Sequence, residues 1–250
     1  MRAKYLILIM TFLSLQPLMA QNYHYIDSLN KVLKTSEGIE RADIYLKIAW
    51  EYRKSHPDST IYFADKAADL AIQLGDNSRI VTKSLNFKGV AYQYLGDNVK
   101  SFELYNKAMD QALLNNDSVQ YAHSLNSLGR NYMNQGDLIK AYDYYFRSLK
   151  IFEAFDDMEG LGYSYKSLAE LYQTQENYVK ALEMSEKTLK IRLANDNIHG
   201  QISILMEIAY IHRTLNNFEK AFDFYLQAKI KAESIDDQIN IANTNLGISE

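Results

Sequence analysis

Ser124–Lys150, SLNSLGRNYMNQGDLIKAYDYYFRSLK, carries two helical periodicities separated by a break. Leu125, Leu128 and Tyr132 fall three and four residues apart, as do Ala141, Tyr145 and Ser148, so each set lies on one face of a helix. Gly136-Asp137 interrupts the two runs at the point where a turn is needed. The stretch predicts a helical hairpin.

The same hairpin recurs at a fixed step. Gly89, Gly129, Ala169 and Ala209 are forty residues apart, with Ala49 forty before and Ser249 forty after. Tyr92, Tyr132 and Tyr172 keep that step, with Tyr52 before and His212 after, and so do Ser101, Ala141, Ala181 and Ala221. At the bend, Gly96-Asp97 and Gly136-Asp137 are followed by Glu176-Asn177 and Asn216-Asn217. A second series, Asp76-Asn77, Asn116-Asp117, Asp156-Asp157, Asp196-Asn197 and Asp236-Asp237, marks turns between successive hairpins. A small residue in the first helix lets the second approach closely, and the aromatic three residues later is expected to fill the space between them. Asp or Asn at each bend can accept from the free N–H groups that begin the next helix. Packing and capping account for every repeated position.

The order L-x-x-L-G-x-x-Y, then G-D, then A-x-x-x-Y-x-x-S, resembles the tetratricopeptide repeat, carried by Leu125, Leu128, Gly129, Tyr132, Gly136, Asp137, Ala141, Tyr145 and Ser148. The resemblance covers residues 41–250 and implies an all-α, right-handed α-solenoid of antiparallel helix hairpins. Its units run about 41–76, 81–116, 121–156, 161–196 and 201–236, with a partial sixth at 241–250. The period is longer than the family's usual ~34 residues, and the proline that often closes the second helix is missing, which points to longer helices. That is similar to the long-helix members among bacterial peptide-receptor regulators and kinesin light chain. In the first unit Ser55-His56-Pro57-Asp58 replaces Gly-Asp, with Asp58 as the expected cap. The sixth unit stops inside its first helix, either as a short cap or as the start of something longer.

Upstream, residues 23–35 place Ile26, Leu29, Val32 and Leu33 on one amphipathic face, and Gly38 is expected to end that helix. Residues 21–38 are therefore read as an N-terminal capping helix. Before it, Arg2 and Lys4 precede an apolar run from Tyr5 to Leu15, and small Ala20 closes the segment. Such a run is too short to span a bilayer, and residues 1–20 read as a secretory signal peptide. Export, to a periplasm or by secretion, is the expectation. The absence of cysteine leaves no disulfide and no lipid-modified cysteine, and it fits an oxidising compartment.

The 250 residues are 47% hydrophobic and 23% charged, with 10 Gly and 2 Pro, a composition of a folded helical protein. Loss of residues 1–20 removes Arg2 and Lys4 and no acid, taking the net charge from −4 to −6. Neither that balance nor any Lys/Arg cluster supplies the basic footprint that nucleic-acid binding requires. No segment beyond the leader could cross a membrane. No phosphate-binding Gly-rich loop, H-E-x-x-H, G-x-S-x-G or cysteine nucleophile is present, and the five His lie in separate units without ligand spacing. No catalytic, cofactor-binding or metal site is expected; His212 occupies an aromatic core slot, and the acid pairs are caps.

The resemblance implies that the first helices line a concave groove and that residues flanking the small position face it. By register these are Trp50, Val90, Arg130, Glu170 and Tyr210; Leu46, Asn86, Asn126, Lys166 and Met206; and Arg53, Gln93, Met133, Gln173 and Arg213. The expected contacts are Trp50, Arg53, Asn86, Asn126, Arg130, Lys166, Glu170 and Arg213, with Trp50 and Arg53 foremost because Trp and Arg are enriched at binding hot spots. The groove lacks the Asn that the family's chaperone-tail receptors carry just after the small residue, so their carboxylate clamp is not expected. The partner expected is a protein or peptide, or a second copy of the chain. The function expected is a non-catalytic exported interaction scaffold, or alternatively the periplasmic sensory region of a longer histidine kinase or transcription regulator.

Overall fold

The computed structural model describes residues 17–75 and 79–249, with side chains from Tyr25 onward. Residues 1–16 of the expected leader, the Asp76-Asn77 turn pair and Glu250 lie outside the described residues. Twelve helices occupy the described chain, with no strand among them. They are α1 (Pro17–Leu33), α2 (Gly38–Tyr52), α3 (Pro57–Gln73), α4 (Arg79–Tyr94), α5 (Asn98–Leu114), α6 (Ser118–Asn134), α7 (Leu138–Ala154), α8 (Met158–Thr174), α9 (Tyr178–Ala194), α10 (Ile198–Thr214), α11 (Phe218–Ser234) and α12 (Gln238–Ser249).

From α5 to α11 every helix is 17 residues long and every connection is three, which is the forty-residue period built out in space. Each such helix spans roughly 25 Å. The two residues of each bend pair divide the turn between them. The first takes the left-handed conformation that closes one helix: Gly96 (φ +80°), Asn116 (+52°), Gly136 (+81°), Asp156 (+51°) and Glu176 (+57°). The second caps the next helix, with Asp97 accepting from the Lys100 N–H at 3.0 Å, Asp117 from Gln120 at 2.9 Å, Asp137 from Lys140 at 3.1 Å and Asp157 from Gly160 at 2.8 Å. The first unit departs from expectation. His56, not Asp58, holds the N-cap position, and Pro57 starts α3, where its missing N–H costs nothing.

The chain forms two compact units. In the unit Leu29–Ile191, consecutive helices from α2 to α8 pack antiparallel, and the first helices of successive hairpins also touch, α2 with α4, α4 with α6 and α6 with α8. The small positions behave as expected, but the ring that meets them is not the one three residues on. A Cβ on Gly89 would lie 2.5 Å from Tyr105, and one on Gly129 would lie 2.7 Å from Tyr145, so these tyrosines of α5 and α7 fill the space that the glycines leave. Tyr105 and Tyr145 are fully buried. Tyr132 instead sits half-buried between hairpins, edge-on to Phe102 at 5.7 Å and stacked on Tyr144 at 5.3 Å. Leu29 and Leu33 of α1 pack on Ile44 and Ile48 of α2. Val32 is exposed, and α1 stops at Leu33, with Gly38 opening α2 rather than closing α1.

In the unit that includes Arg192–Glu250, α10 packs on α11 and α11 on α12. His212 is buried and stacked on Phe224 at 5.5 Å, a core position as its register suggested. Among the described residues no helix is long and apolar enough to cross a membrane.

Candidate inner-face site

Because the first helices of neighbouring hairpins touch one another, their inner faces form a continuous wall through Leu29–Ile191. Trp50, near the end of α2, packs on Phe87 of α4 at 5.0 Å and meets Tyr163 of α8 edge-on at 6.4 Å. The second contact joins the first hairpin to the fourth across the inner face. Arg53 lies over the Trp50 ring, its guanidinium carbon 3.9 Å from the centroid, and donates to the Trp50 carbonyl.

Beside this aromatic group the charges converge. The Lys166 ammonium donates to the Glu170 carboxylate at 2.7 Å, one turn along α8, and the Arg130 guanidinium of α6 lies 3.7 Å from the same carboxylate. Burial would push the Glu170 carboxyl up, but Arg130, Lys166 and Lys54 outweigh it and hold it below its ordinary range. Burial likewise pulls Arg130 down, yet Glu170 and the hydroxyls of Tyr145, Tyr105 and Tyr94 leave it raised. Lys54 is lowered by burial and by the like charges of Arg53, Lys166 and Arg130. Arg53 is lowered chiefly by burial, with Glu51, Tyr163 and Tyr94 opposing.

Of the residues expected in the groove, the structure brings Trp50, Arg53, Arg130, Lys166 and Glu170 together. Asn86 and Asn126 lie behind that surface, buried, as rungs between first helices. The Asn86 amide donates to Ser124 Oγ at 3.0 Å and that of Asn126 to Ser164 Oγ at 3.2 Å, while Asn126 Oδ1 accepts from Ser167 Oγ at 2.9 Å. Their recurrence at forty residues, matched by Ser84, Ser124 and Ser164, was the signal that they belong to the framework. Leu46 is also in the core, packed among Ala42, Ala67, Ala71 and Ile80. Sequence reasoning missed Lys54, Phe87 and Tyr163. The last could have been found, since it precedes Lys166 by three and Glu170 by seven on one helical face.

In the other unit, Met206, Tyr210 and Arg213 of α10 line a cavity of about 430 Å³ with Ser203, Glu207, Tyr225, Asn243, Leu246 and Gly247. Arg213 lies over the Tyr210 ring at 5.6 Å. Among the described residues no group of three His, Cys, Asp or Glu could hold a metal ion.

A family model described as tetratricopeptide repeat matches residues 80–154 and 120–194, and another of the same description matches residues 202–229. Together the matches take in more than half of the chain. A comparison with curated proteins finds no match. Among solved structures the chain is similar to BtubC (BKLC) from P. vanneervenii, with a TM-score of 0.60 at 17% identity over 89% of this chain and 92% of that one. It is similar to the Rap conjugation gene regulator of the plasmid pLS20 in complex with the Phr* peptide, with a TM-score of 0.66 at 16% identity over 82% of this chain and 59% of that one. It is also similar to a STAND protein with a tetratricopeptide repeat sensor from Pyrococcus horikoshii, with a TM-score of 0.56 at 17% identity over 94% of this chain and 40% of that one. At these identities the likeness shows the fold alone, and the chain spans less than two thirds of the last two proteins.

Proposed function

Since the chain belongs to the tetratricopeptide repeat family, we propose that it is a non-catalytic scaffold holding an extended peptide or protein segment against the inner face of α2, α4, α6 and α8. The observation that carries this reading is the convergence of Trp50, Arg53, Arg130, Lys166 and Glu170, from three different hairpins, on one surface. Packing explains the repeated residues, whereas these five differ from unit to unit and put aromatic area and fixed charge where several hairpins can touch one ligand. The neighbour from plasmid pLS20, in complex with the Phr* peptide, lends support from a protein of the same fold. The proposed address is exported, on the strength of residues 1–20, and N-terminal sequencing of the exported protein should begin at Gln21.

The test is a crosslinking pull-down with the purified chain, repeated with Trp50→Ala and Arg53→Ala. The expected result is a specific partner lost or weakened in both variants. If every captured partner binds both variants as it binds the parent, the inner face is not the binding surface.

A second reading makes this chain the sensory region of a longer signalling protein. It is favoured by the likeness to the STAND protein, whose repeats its description names as a sensor and of which this chain matches 40%. A reading frame that continues past codon 250 into an output domain would support it, and a stop codon there would count against it.

A further inference from the structure

The inner face of Leu29–Ile191 carries a charge opposite to that of the chain. The whole sequence has a net charge of −4. Yet Arg53 and Lys54 just past α2, Arg130 in the second half of α6 and Lys166 in the middle of α8 stand within electrostatic reach of one another, and the carboxylates interspersed with them are Glu51 and Glu170. Glu170 is held by Lys166 at 2.7 Å and Arg130 at 3.7 Å. Among the described residues no carboxylate lies within ion-pair distance of Arg53 or Lys54. Crowding of like charges is unfavourable unless a counter-charge relieves it, most of all on the partly buried Arg53, Arg130 and Lys166. Two carboxylates among four cations relieve it only in part.

We propose that this face binds an acidic peptide segment, and that a carboxylate of the ligand takes the place of Glu170 between Arg130 and Lys166. Glu170 is then a built-in competitor: it satisfies the cations when the site is empty and must yield when the ligand arrives. Its one-turn tether to Lys166 lets it swing away without any change in the backbone of α8. Trp50 and Arg53, stacked on one another beside Phe87 and Tyr163, supply an adjoining apolar and cationic surface for the neighbouring ligand residue. Because the chain is acidic overall, these local cations also orient the approach of an acidic ligand. The inference rests on the inner-face reading above and adds the chemistry of the ligand to it.

Trp50 is the only tryptophan, and it borders the charged group, so its fluorescence reports on the site directly. The experiment titrates the purified chain with hexaglutamate and, separately, hexalysine at low and moderate salt. Hexaglutamate is expected to change Trp50 emission saturably, more weakly as salt rises, and hexalysine to leave it unchanged. Lys54→Gln, which removes a cation with no ion pair among the described residues and so leaves the packing intact, should weaken the response several-fold. Glu170→Gln should strengthen it several-fold, a sign that a merely structural Glu170 would not give. The inference is overturned if hexalysine acts like hexaglutamate, if hexaglutamate has no effect, or if Glu170→Gln weakens binding while its circular dichroism matches the parent. A partner whose capture depends on Trp50 but is indifferent to Lys54→Gln and Glu170→Gln would sink the acidic ligand and leave the inner-face scaffold standing.

Discussion

His123 on α6 shows how much one side chain's environment can set. Its ring packs against Phe152 at 4.8 Å and Tyr163 at 6.2 Å, and burial pushes its pKa down from 6.5 to about 4. Lys83 and Arg79 push the same way, while Asp157 and Asp117 oppose them. Between those two values the unfolded chain binds a proton that the folded chain refuses. The contribution of the neutral imidazole is therefore complete above pH 6.5 and is lost as pH falls toward 4, a span on the order of 2–3 kcal/mol. Replacing it with a ring that does not titrate, His123→Phe, should flatten the fall in urea midpoint between pH 7 and pH 5 relative to the parent. Parallel pH profiles for the two proteins would mean that His123 charges freely in the folded state. Glu176 makes a different point at the same scale. It sits at φ +57°, where its counterparts are Gly96 and Gly136, and the three-residue bend imposes that conformation whatever residue the sequence supplies.

At the scale of elements, the recurring feature is a small residue on a hairpin's first helix where the second helix comes close. Gly89 and Gly129 face Tyr105 and Tyr145, whereas the fourth hairpin has Ala169 in the glycine's place and Ser185 in the tyrosine's, both buried. Glycine thus meets a large ring in the second and third hairpins, and alanine meets a small side chain in the fourth. A methyl group on Gly129 has no room beside Tyr145, so Gly129→Ala should cost about 1–3 kcal/mol in chemical denaturation. Combining it with Tyr145→Ser should cost less than the two single changes added together, because the second change removes the ring that the first one strikes. Additive losses would show that the ring moves aside freely. This level of the structure was largely legible from subtraction of residue numbers: the helices, the bends, the close approach at the small positions and the caps all follow from the forty-residue step. What was not legible was which ring enters which space, because Tyr92 and Tyr105 are equally good aromatic fillers on paper and only the crossing of α4 and α5 distinguishes them. The same limit separated Asn126 from Arg130. Both are polar and both flank Gly129, but one turns back to Ser164 and Ser167 while the other turns inward to Glu170.

At the scale of the larger unit, Leu29–Ile191, contact between non-neighbours changes how the repeats should unfold. A solenoid whose hairpins touch only their neighbours has a stability close to a sum of local terms, and a loss in one hairpin stays near it. Here Trp50 of α2 reaches Tyr163 of α8, a contact between the first and fourth hairpins that neither sequence spacing nor a nearest-neighbour stack requires. Trp50 also leans on Phe87 of α4, so one indole links three first helices, its own and two others. Removing it should therefore be felt at both ends of the unit. In native-state hydrogen exchange, Trp50→Ala is expected to lower protection in Met158–Thr174 as well as in Gly38–Tyr52, and by more than it lowers protection in α5, whose contacts are to its neighbours. A loss confined to α2, α3 and α4 would show that the edge-on contact with Tyr163 contributes nothing measurable and that the unit behaves as independent neighbours. A loss shared with α8 would make the inner face a coupling element, through which a ligand bound at Arg130 and Lys166 also stabilises the first hairpin.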